Sequence, residues 1–166
     1  MSMFHQTKTY LIGLLTKHIG KETHLPKAVI MDVDDTLVST INSKVKFIKK
    51  NNDILFVYPG IKEMIEVTVV AKRLGYKIII LTARPTESFL STRFNLDLLG
   101  VPYDEIHMNN HVKDNSFKYK IRQQLLKRYD VLFTVGDQIG DVNGPGPMIG
   151  VKLPSLDSCK VQIYYN

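Results

Sequence analysis

Three apolar runs recur along the chain, and segments with helical spacing lie between them. The runs occupy residues 28–33, 77–81 and 131–135. Because the apolar residues of each run are consecutive, with only Asp32, Lys77 and Thr134 polar, rather than alternating with polar residues, the pattern is typical of parallel strands covered on both faces. Weaker strands are predicted at 105–108 and 149–153, and helices at about 60–74, 85–99 and 116–128.

Strands that alternate with helices predict a parallel sheet with right-handed crossovers and helices on both faces. We therefore predict an α/β protein with a three-layer, Rossmann-like parallel sheet. Two β-rich runs around the polar residues 49–53 predict a β-hairpin flap, at 44–58, after the first strand. Apolar residues at helical spacing in 9–19 predict an N-terminal helical extension within residues 1–26. The whole chain, 1–166, has the length of a single domain.

The composition is that of a globular protein, with 44% hydrophobic and 23% charged residues. A net charge of +6 either favours anionic partners or only keeps the surface soluble. The single cysteine, Cys159, cannot form an internal disulfide, which is typical of a reducing compartment. The apolar run 10–15 is too short to span a membrane, and no signal-peptide cleavage pattern follows it. These features predict a cytoplasmic protein with no membrane partner.

Oxygen-bearing side chains follow three of the predicted strands. Asp32 and Asp34 follow the first, Thr82 ends the second, and Asp137 follows the strand at 131–135. Ligands bind at the carboxyl ends of the strands in open parallel sheets, so these residues are expected to meet at one rim. Clustered carboxylates repel one another unless a hard cation neutralises them, and Mg²⁺ is the expected cation beside a phosphate group. The sequence therefore predicts a Mg²⁺ site at this rim.

Four segments together resemble the ordered motifs of the haloacid dehalogenase-like (HAD) hydrolase superfamily. They are DVDDTL at 32–37, the threonine that ends KIIILT, the lysine in SFKYKIR at 116–122, and GDQIGD at 136–141. The TARP after the second strand and the GDQ of the last motif are similar to the acid phosphatase branch, subfamily IIIB. The resemblance implies a phosphomonoester hydrolase that depends on Mg²⁺ and acts on a phosphorylated small molecule or macromolecule.

The resemblance also implies a role for each matching residue. Asp32 is expected to attack phosphorus and form an aspartyl-phosphate, and Asp34 to protonate the leaving alcohol. Thr82 and Lys118 are expected to hold the phosphoryl oxygens. The backbone carbonyl is the expected metal ligand of Asp34. The implied metal ligands are Asp32, Asp34, Asp137 and Asp141.

Two lysines compete for the third motif. At about 100° per residue, Lys118 lies about 60° from Ile121, the centre of the apolar stripe of its helix, and Lys120 about 100°. Lys118 is therefore favoured, and Arg122 lies four residues on, on the same face. Lys120 stays open, and either lysine could instead be a solvated helix charge.

The sequence allows two interpretations of the role of several other residues. Arg84 could reach the phosphate, or it could form a salt bridge on the rim. Asp35 is interpreted as a turn residue rather than a catalytic one. His107 and His111 have the i, i+4 spacing of two metal ligands on a helix, but a loop without a metal is favoured there.

Neither 37–76 nor 83–117 is long enough to add a cap domain to these elements, so the site is predicted to be open. Lysines 44, 46, 49 and 50 make the hairpin flap basic, which either favours polyanionic substrates or only keeps an edge soluble. One alternative function is therefore a nucleic-acid end-processing phosphatase, although the flap has few aromatic residues for base stacking. A non-catalytic binding module is a further alternative, disfavoured because it has no need of Asp34.

Overall fold

The computed structural model describes residues 1–41, 44–110, 113–155 and 158–166. The strands are β1 Lys27–Met31, β2 Lys46–Lys50, β3 Asp53–Val57, β4 Lys77–Pro85, β5 Glu105–Asn109, β6 Asp130–Gly136, β7 Ile149–Lys152 and β8 Gln162–Tyr165. The helices are α1 Met3–His18, α2 Lys62–Arg73, α3 Phe89–Leu98, α4 Phe117–Leu125 and α5 Ile139–Val142. A 3₁₀ turn, Thr86–Ser88, precedes α3.

Six strands form one sheet in the order β5-β4-β1-β6-β7-β8. The pairs β4–β5, β1–β4, β1–β6 and β6–β7 are parallel, which confirms the predicted α/β fold. The sheet is not wholly parallel, because β8 runs antiparallel to β7 at the edge. The sequence did not predict β8.

The central strands are buried on both faces, and this explains their continuous apolar sequence. In β1, Val29 and Met31 belong to one core cluster, whereas Ala28 and Ile30 belong to the other. The first cluster includes buried side chains of α1 and α2, and the second includes Leu125 of α4. Helices therefore cover both faces of the sheet, as the three-layer prediction requires.

The N-terminal helix packs against this core. Leu11 and Leu15 are fully buried, and the Tyr76 hydroxyl donates to the backbone oxygen of Leu15 at 3.2 Å. Lys8 of α1 forms an ion pair with Glu66 of α2 at 2.6 Å. The helix begins six residues earlier than the predicted spacing, at Met3, where the Ser2 side chain accepts a hydrogen bond from the His5 backbone N–H.

The predicted hairpin is confirmed as the antiparallel pair β2–β3. It is held against α3 rather than projecting freely. The backbone N–H of Phe56 donates to Ser91 Oγ at 3.2 Å, and that of Tyr58 donates to Asn95 Oδ1 at 2.8 Å. The Asn95 amide donates back to the Tyr58 backbone oxygen at 3.0 Å. These contacts fix the position of β3 beside the carboxyl end of the sheet.

Strand β4 is longer than its apolar run. The prediction ended at residue 81, but the strand continues to Pro85, with an irregular register to β5 between Leu81 and Pro85. The following helix, predicted from residue 85, starts as a 3₁₀ turn and becomes α-helical at Phe89. In the part of the chain that is described, no helix is both long enough and apolar enough to cross a membrane.

Candidate active site

Three carboxylates meet at the carboxyl rim of the sheet. Asp32 directly follows β1, Asp137 directly follows β6, and Asp141 lies in α5. Each is buried, and one oxygen from each lies within 4.8 Å of the others. The Asp32 backbone N–H donates to the Val135 oxygen at 2.9 Å, so the β1–β6 pairing continues up to the cluster. The structure thus brings together three of the four predicted metal ligands.

A lysine from α4 enters the same cluster. Lys118 Nζ donates to Asp32 Oδ1 at 2.7 Å and also to Asp141 Oδ1. Lys120 instead pairs with Asp114 at 3.0 Å, and its side chain is 60% exposed. Of the two lysines that the sequence left open, the structure places Lys118 against the carboxylates and Lys120 away from them.

The loop after β6 is built to hold Asp141 close to the strand. A Cβ added to Gly136 would lie only 2.2 Å from Asp141 Cβ, so any larger residue would push the carboxylate away. Asp141 Oδ2 accepts from the Gln138 backbone N–H at 3.0 Å, and the Gln138 amide donates to Asp137 Oδ2 at 2.8 Å. Sequence analysis missed Gln138, although its spacing to Asp141 is that of a capping box.

Arg122 of α4 hydrogen-bonds to the backbone of the loop that follows α5. The side chain is buried, its Nε donates to the Gly144 oxygen at 2.7 Å, and its Nη2 lies 3.5 Å from the Asn143 oxygen. Burial lowers the pKa of Arg122, although the Asp141 carboxylate opposes the shift. The sequence predicted only its helix face, so its role as a support for the loop after α5 is a finding of the structure.

The electrostatics of the cluster fit a cation. Burial raises the pKa of Asp32 well above its usual value, and the Asp141 carboxylate raises it further, against the opposing effect of Lys118. Burial also raises the pKa of Asp137. Burial disfavours the charge of Lys118, but Asp32 and Asp141 outweigh it and raise the pKa of the ammonium. The cluster holds three buried carboxyl groups, and Lys118 pairs with two of them, Asp32 and Asp141, so an additional hard cation would relieve the repulsion that remains.

Thr82 lies on the strand beside Asp32. The register pairs Met31 with Ile80, so Thr82 and the residues after β1 reach the same rim. Thr82 is fully buried, and its hydroxyl accepts a hydrogen bond from the Arg84 backbone N–H at 3.2 Å. The structure therefore places Thr82 at the predicted rim of the sheet, with its hydroxyl hydrogen-bonded to the backbone of Arg84 in the TARP segment.

Asp34 faces a different partner from the three clustered carboxylates. Arg84 Nη2 donates to Asp34 Oδ1 at 2.7 Å and Arg84 Nε donates to Asp34 Oδ2 at 3.0 Å, a two-pronged ion pair. Of the two readings left open for Arg84, the structure has the salt bridge. The metal contact predicted for the backbone carbonyl of Asp34 stays a prediction.

The guanidinium of Arg84 is itself held by its surroundings. Its Nη1 donates to Thr92 Oγ1 at 3.0 Å. Its central carbon lies 5.6 Å from the ring centre of Phe56 and 5.5 Å from that of Tyr58, within the range of a cation–π contact. A chain of contacts therefore runs from the hairpin through Arg84 to Asp34.

The remaining predicted residues lie outside the cluster. Asp35 adopts a positive φ of 54°, and its carboxylate accepts from the Thr40 backbone N–H at 2.8 Å and hydroxyl at 2.7 Å, which confirms the turn interpretation. His107 lies on β5, which confirms the strand predicted at 105–108 and not the loop favoured for the histidine pair, and it contacts Glu105 at 2.8 Å. His111 lies outside the described residues, so the histidine pair stays untested.

Comparisons with known proteins agree with this geometry. Residues 3–155 match the family described as the HAD superfamily, subfamily IIIB (acid phosphatase). No curated protein is detectably similar in sequence. Among solved structures, the class C acid phosphatase from Bacillus anthracis superposes with a TM-score of 0.66 at 18% identity, over 86% of this chain and 64% of that one. This chain thus spans less than two thirds of the length of that phosphatase.

A second group of similar structures has a different context. A solved Pnkp1/Rnl/Hen1 complex contains a chain that is 29% identical to this one, with a TM-score of 0.52, over 72% of this chain and 42% of that one. A related structure of the same assembly is described as an RNA repair complex, with 38% of its chain covered. Because the family match extends over most of the sequence, this chain belongs to subfamily IIIB, the acid phosphatases, of the HAD superfamily.

Proposed function

We propose that this protein is a Mg²⁺-dependent phosphomonoester hydrolase that works through an aspartyl-phosphate intermediate. The observation that carries the proposal is the buried cluster of Asp32, Asp137 and Asp141 with Lys118 against it. Such a cluster is costly to bury and contributes little to stability alone, which favours a catalytic reason for it. We assign the activity to a single domain, residues 1–166, with the hairpin at 44–58 as its flap.

The proposed chemistry has two displacement steps. An Asp32 oxygen attacks phosphorus, the bond from phosphorus to the leaving oxygen breaks, and that oxygen takes a proton from Asp34. In the second step a water oxygen attacks phosphorus, Asp34 takes a proton from that water, and the bond between phosphorus and the Asp32 oxygen breaks. The products are inorganic phosphate and the restored Asp32 carboxylate.

Lys118 and Thr82 are proposed to hold the phosphoryl oxygens. The ammonium of Lys118 lies 2.7 Å from Asp32, so a phosphoryl group that meets the nucleophile also comes within reach of this charge. Charge builds on those oxygens in the transition state, where a fixed positive group in a buried site is most effective. Loss of one such group from a site of this type typically lowers turnover by about 10²–10³-fold.

The metal is proposed to bind the side chains of Asp32, Asp137 and Asp141 and the backbone carbonyl of Asp34. The donor set fits Mg²⁺, since hard oxygen ligands from two strand ends meet within 4.8 Å of one another. Bound there, Mg²⁺ would neutralise the carboxylates and the phosphoryl oxygens. The ammonium of Lys118 and the Gln138 contacts already orient two of the ligands.

Substitution of the two first-motif aspartates and removal of metal test this proposal. Asp32→Asn should abolish hydrolysis of p-nitrophenyl phosphate, and Asp34→Asn should lower it by about 10²-fold or more. Excess chelator should remove the activity, and Mg²⁺ should restore it. Asp35→Asn serves as the matched control in the same motif, since the Asp35 carboxylate accepts turn hydrogen bonds from Thr40 and reaches the cluster only as a charge that raises the pKa of Asp137. Full activity in excess chelator would rule out the metal, and an active Asp32→Asn would rule out the nucleophile.

A nucleic-acid end-processing phosphatase is the second candidate function. Two observations favour it: the four lysines of the hairpin beside the site, and the similarity at 29% identity to a chain of an RNA repair complex. A panel of small phosphomonoesters beside 3′- and 5′-phosphorylated oligonucleotides tests it. Preferential, steeply salt-dependent hydrolysis of the oligonucleotides would favour this candidate, since counterion release accompanies strand binding.

A non-catalytic binding module is the weakest alternative. A module that only bound phosphate would need neither a nucleophile nor a proton donor, yet Asp32 and Asp34 are both present. Complete inactivity of the wild-type protein on every phosphomonoester of the panel, with Mg²⁺ present, would favour this alternative over both enzymatic candidates.

A further inference from the structure

One face of the hairpin lies open beside the site and belongs to neither core cluster. The strand register pairs Phe47 with Phe56 and Lys49 with Ile54. Residues paired across an antiparallel ladder project to the same side, so these four side chains share one surface, here called the hairpin face. The other side of β3 projects Leu55 and Val57, which are buried.

The hairpin face is apolar, aromatic and basic at once. Phe47 is 70% exposed and Ile54 is 71% exposed, two of the largest exposures of apolar side chains in the described residues. Lys49 stands between them and is exposed as well. Large apolar side chains this open on a strand are unfavourable in water, which indicates a contact surface.

This surface is continuous with the catalytic end of the protein. The Phe56 ring lies 5.6 Å from the guanidinium of Arg84, which pairs with Asp34. Asp34 is the proposed proton donor, so it faces the leaving group of the substrate. Phe47 lies one strand further out, about 5 Å beyond Phe56. The hairpin face therefore extends away from phosphorus on the leaving-group side.

The hairpin face is preformed, which lowers the entropic cost of binding a ligand to it. Ser91 and Asn95 of α3 hold the backbone of Phe56 and Tyr58. On the far side of the hairpin, the Lys50 ammonium lies 5.0 Å above the ring of Phe94. A rigid surface gains affinity because little order has to be imposed at the moment of binding.

The charge of the hairpin selects one kind of occupant. Residues 44–58 carry four lysines and one aspartate, a net charge of +3, and of the lysines on the two strands Lys49 is the one on the hairpin face. A ligand that offers both flat rings and regularly spaced negative charges matches this combination, and single-stranded nucleic acid is such a ligand. A duplex exposes only the outer face of its terminal base pair, whereas a single strand offers successive base faces to both Phe56 and Phe47.

We propose that the hairpin face binds single-stranded nucleic acid whose terminal phosphate enters the site, an inference that rests on the proposed phosphatase function. Bases on the leaving-group side stack on Phe56 and Phe47, and Lys49 contacts the phosphates between them. This assigns a substrate class to the site: the end of a single strand, rather than a small phosphomonoester or a duplex end.

Binding is measured first, independently of turnover. The probe is a fluorescein-labelled single-stranded oligonucleotide of about ten nucleotides with a 3′-terminal phosphate, with a 5′-phosphorylated strand as the second arm. The whole chain carries Asp32→Asn so that the probe is not consumed. Adding Phe47→Ala and Lys49→Ala should weaken binding by about tenfold or more, because the base stacked on Phe47 and the phosphate contact of Lys49 are both lost.

A matched control removes one exposed aromatic residue and one exposed lysine elsewhere. Tyr165 is 79% exposed and pairs with Ile149, at the opposite rim of the sheet from Gly136. Lys127 is exposed and precedes β6 at that same rim. The pair Lys127→Ala and Tyr165→Ala should change affinity by less than about twofold. Equal losses in the two pairs, or none in the hairpin pair, would overturn the inference.

Kinetics separate this inference from the proposed function. In the active protein, the hairpin pair should lower kcat/KM for the oligonucleotide about tenfold relative to kcat/KM for p-nitrophenyl phosphate. Phe47→Tyr should restore most of the loss due to Phe47→Ala, because a ring is restored. If the wild-type protein hydrolyses p-nitrophenyl phosphate but the hairpin pair leaves this ratio of kcat/KM values unchanged, the role of the hairpin face is contradicted and the phosphatase function is not. A wild-type protein that hydrolyses neither substrate contradicts the phosphatase function, and the binding arm then decides the inference.

Discussion

Arg84 offers the sharpest test of how the site is organised. In Arg84→Lys the charge is kept, but the planar fork is lost, and a single ammonium cannot reproduce contacts at 2.7 Å and 3.0 Å to the two oxygens of Asp34. The 3.0 Å contact to Thr92 is lost too, since it comes from a different nitrogen. We expect the Asp34 carboxylate to lose its fixed orientation.

The magnitude follows from the role proposed for Asp34. General acid catalysis contributes about 10²–10⁴-fold, and a misplacement of about 1 Å can cost about 10²-fold. Arg84→Lys should therefore lower kcat for an alkyl phosphate by about 10- to 100-fold. The free energy of unfolding should fall by only about 1–2 kcal/mol, because Asp34 is 38% exposed and regains contacts with water.

The assay compares leaving groups. A sugar phosphate or glycerol phosphate releases an alkoxide that needs a proton, whereas p-nitrophenolate leaves with little help. Arg84→Lys should thus slow the alkyl phosphate at least about tenfold more than p-nitrophenyl phosphate. Arg93→Lys is the matched control: Arg93 also pairs with an aspartate, Asp97, but at 3.7 Å and with a side chain 58% exposed.

Two results would refute this reasoning. If the loss were the same for both leaving groups and the affinity for inorganic phosphate fell in parallel, Arg84 would hold the phosphoryl group, the other reading that its sequence position allowed. If neither substrate were affected while the melting temperature fell, the pair with Asp34 would serve stability alone.

Further outcomes test the cluster and the edge of the sheet. Gly136→Ala should lower both turnover and stability, the latter by about 1–3 kcal/mol, because its Cβ would lie 2.2 Å from a carbon of the carboxylate cluster. Gly140→Ala, with no atom within 4 Å of the added Cβ, is its control for both thermal melting and kinetics. Lys118→Met should lower kcat by about 10²–10³-fold, whereas Lys120→Met should change it less than about twofold. Burial raises the pKa of Glu105, but hydrogen bonds to its carboxylate outweigh burial and lower the pKa from 4.5 to about 2. The ionised form therefore stabilises the fold above pH 4.5, and this contribution is lost as the pH falls towards 2. Urea unfolding of Glu105→Gln should therefore show a deficit of about 1–2 kcal/mol at neutral pH, reduced for solvent screening, that vanishes at low pH.

The sheet could be predicted because its sequence signal and its packing have one cause. Alternate residues of β1 lie in opposite core clusters, so both must be apolar, and the run in the sequence is continuous. The strand β8 gave no such signal. It is an edge strand in which Gln162 and Tyr165 are exposed, and its place beside β7 is decided by contacts with residues ten or more positions away.

The site divides in the same way. Asp32 and Asp137 were predictable, because parallel topology alone brings the carboxyl ends of neighbouring strands together. Lys118 was favoured over Lys120 because helix geometry limits which side chain can face the sheet. The partner of Asp34 could not be read from the sequence, since the direction of a side chain beyond a strand end depends on the loops around it.

That unpredicted contact changes how the flap is understood. A basic hairpin could have been a solubilised edge, with no bearing on the reaction. Phe56, however, packs on Arg84, and Arg84 holds the side chain of Asp34, which we propose donates the proton when it is in the carboxylic acid form. A ligand bound to the hairpin face therefore contacts Phe56, which packs on Arg84, the residue that orients Asp34. In the proposed mechanism, substrate recognition and proton donation are linked through one arginine, so a strand that stacks well should also react with the acid in place, and truncated substrates should lose kcat as well as affinity.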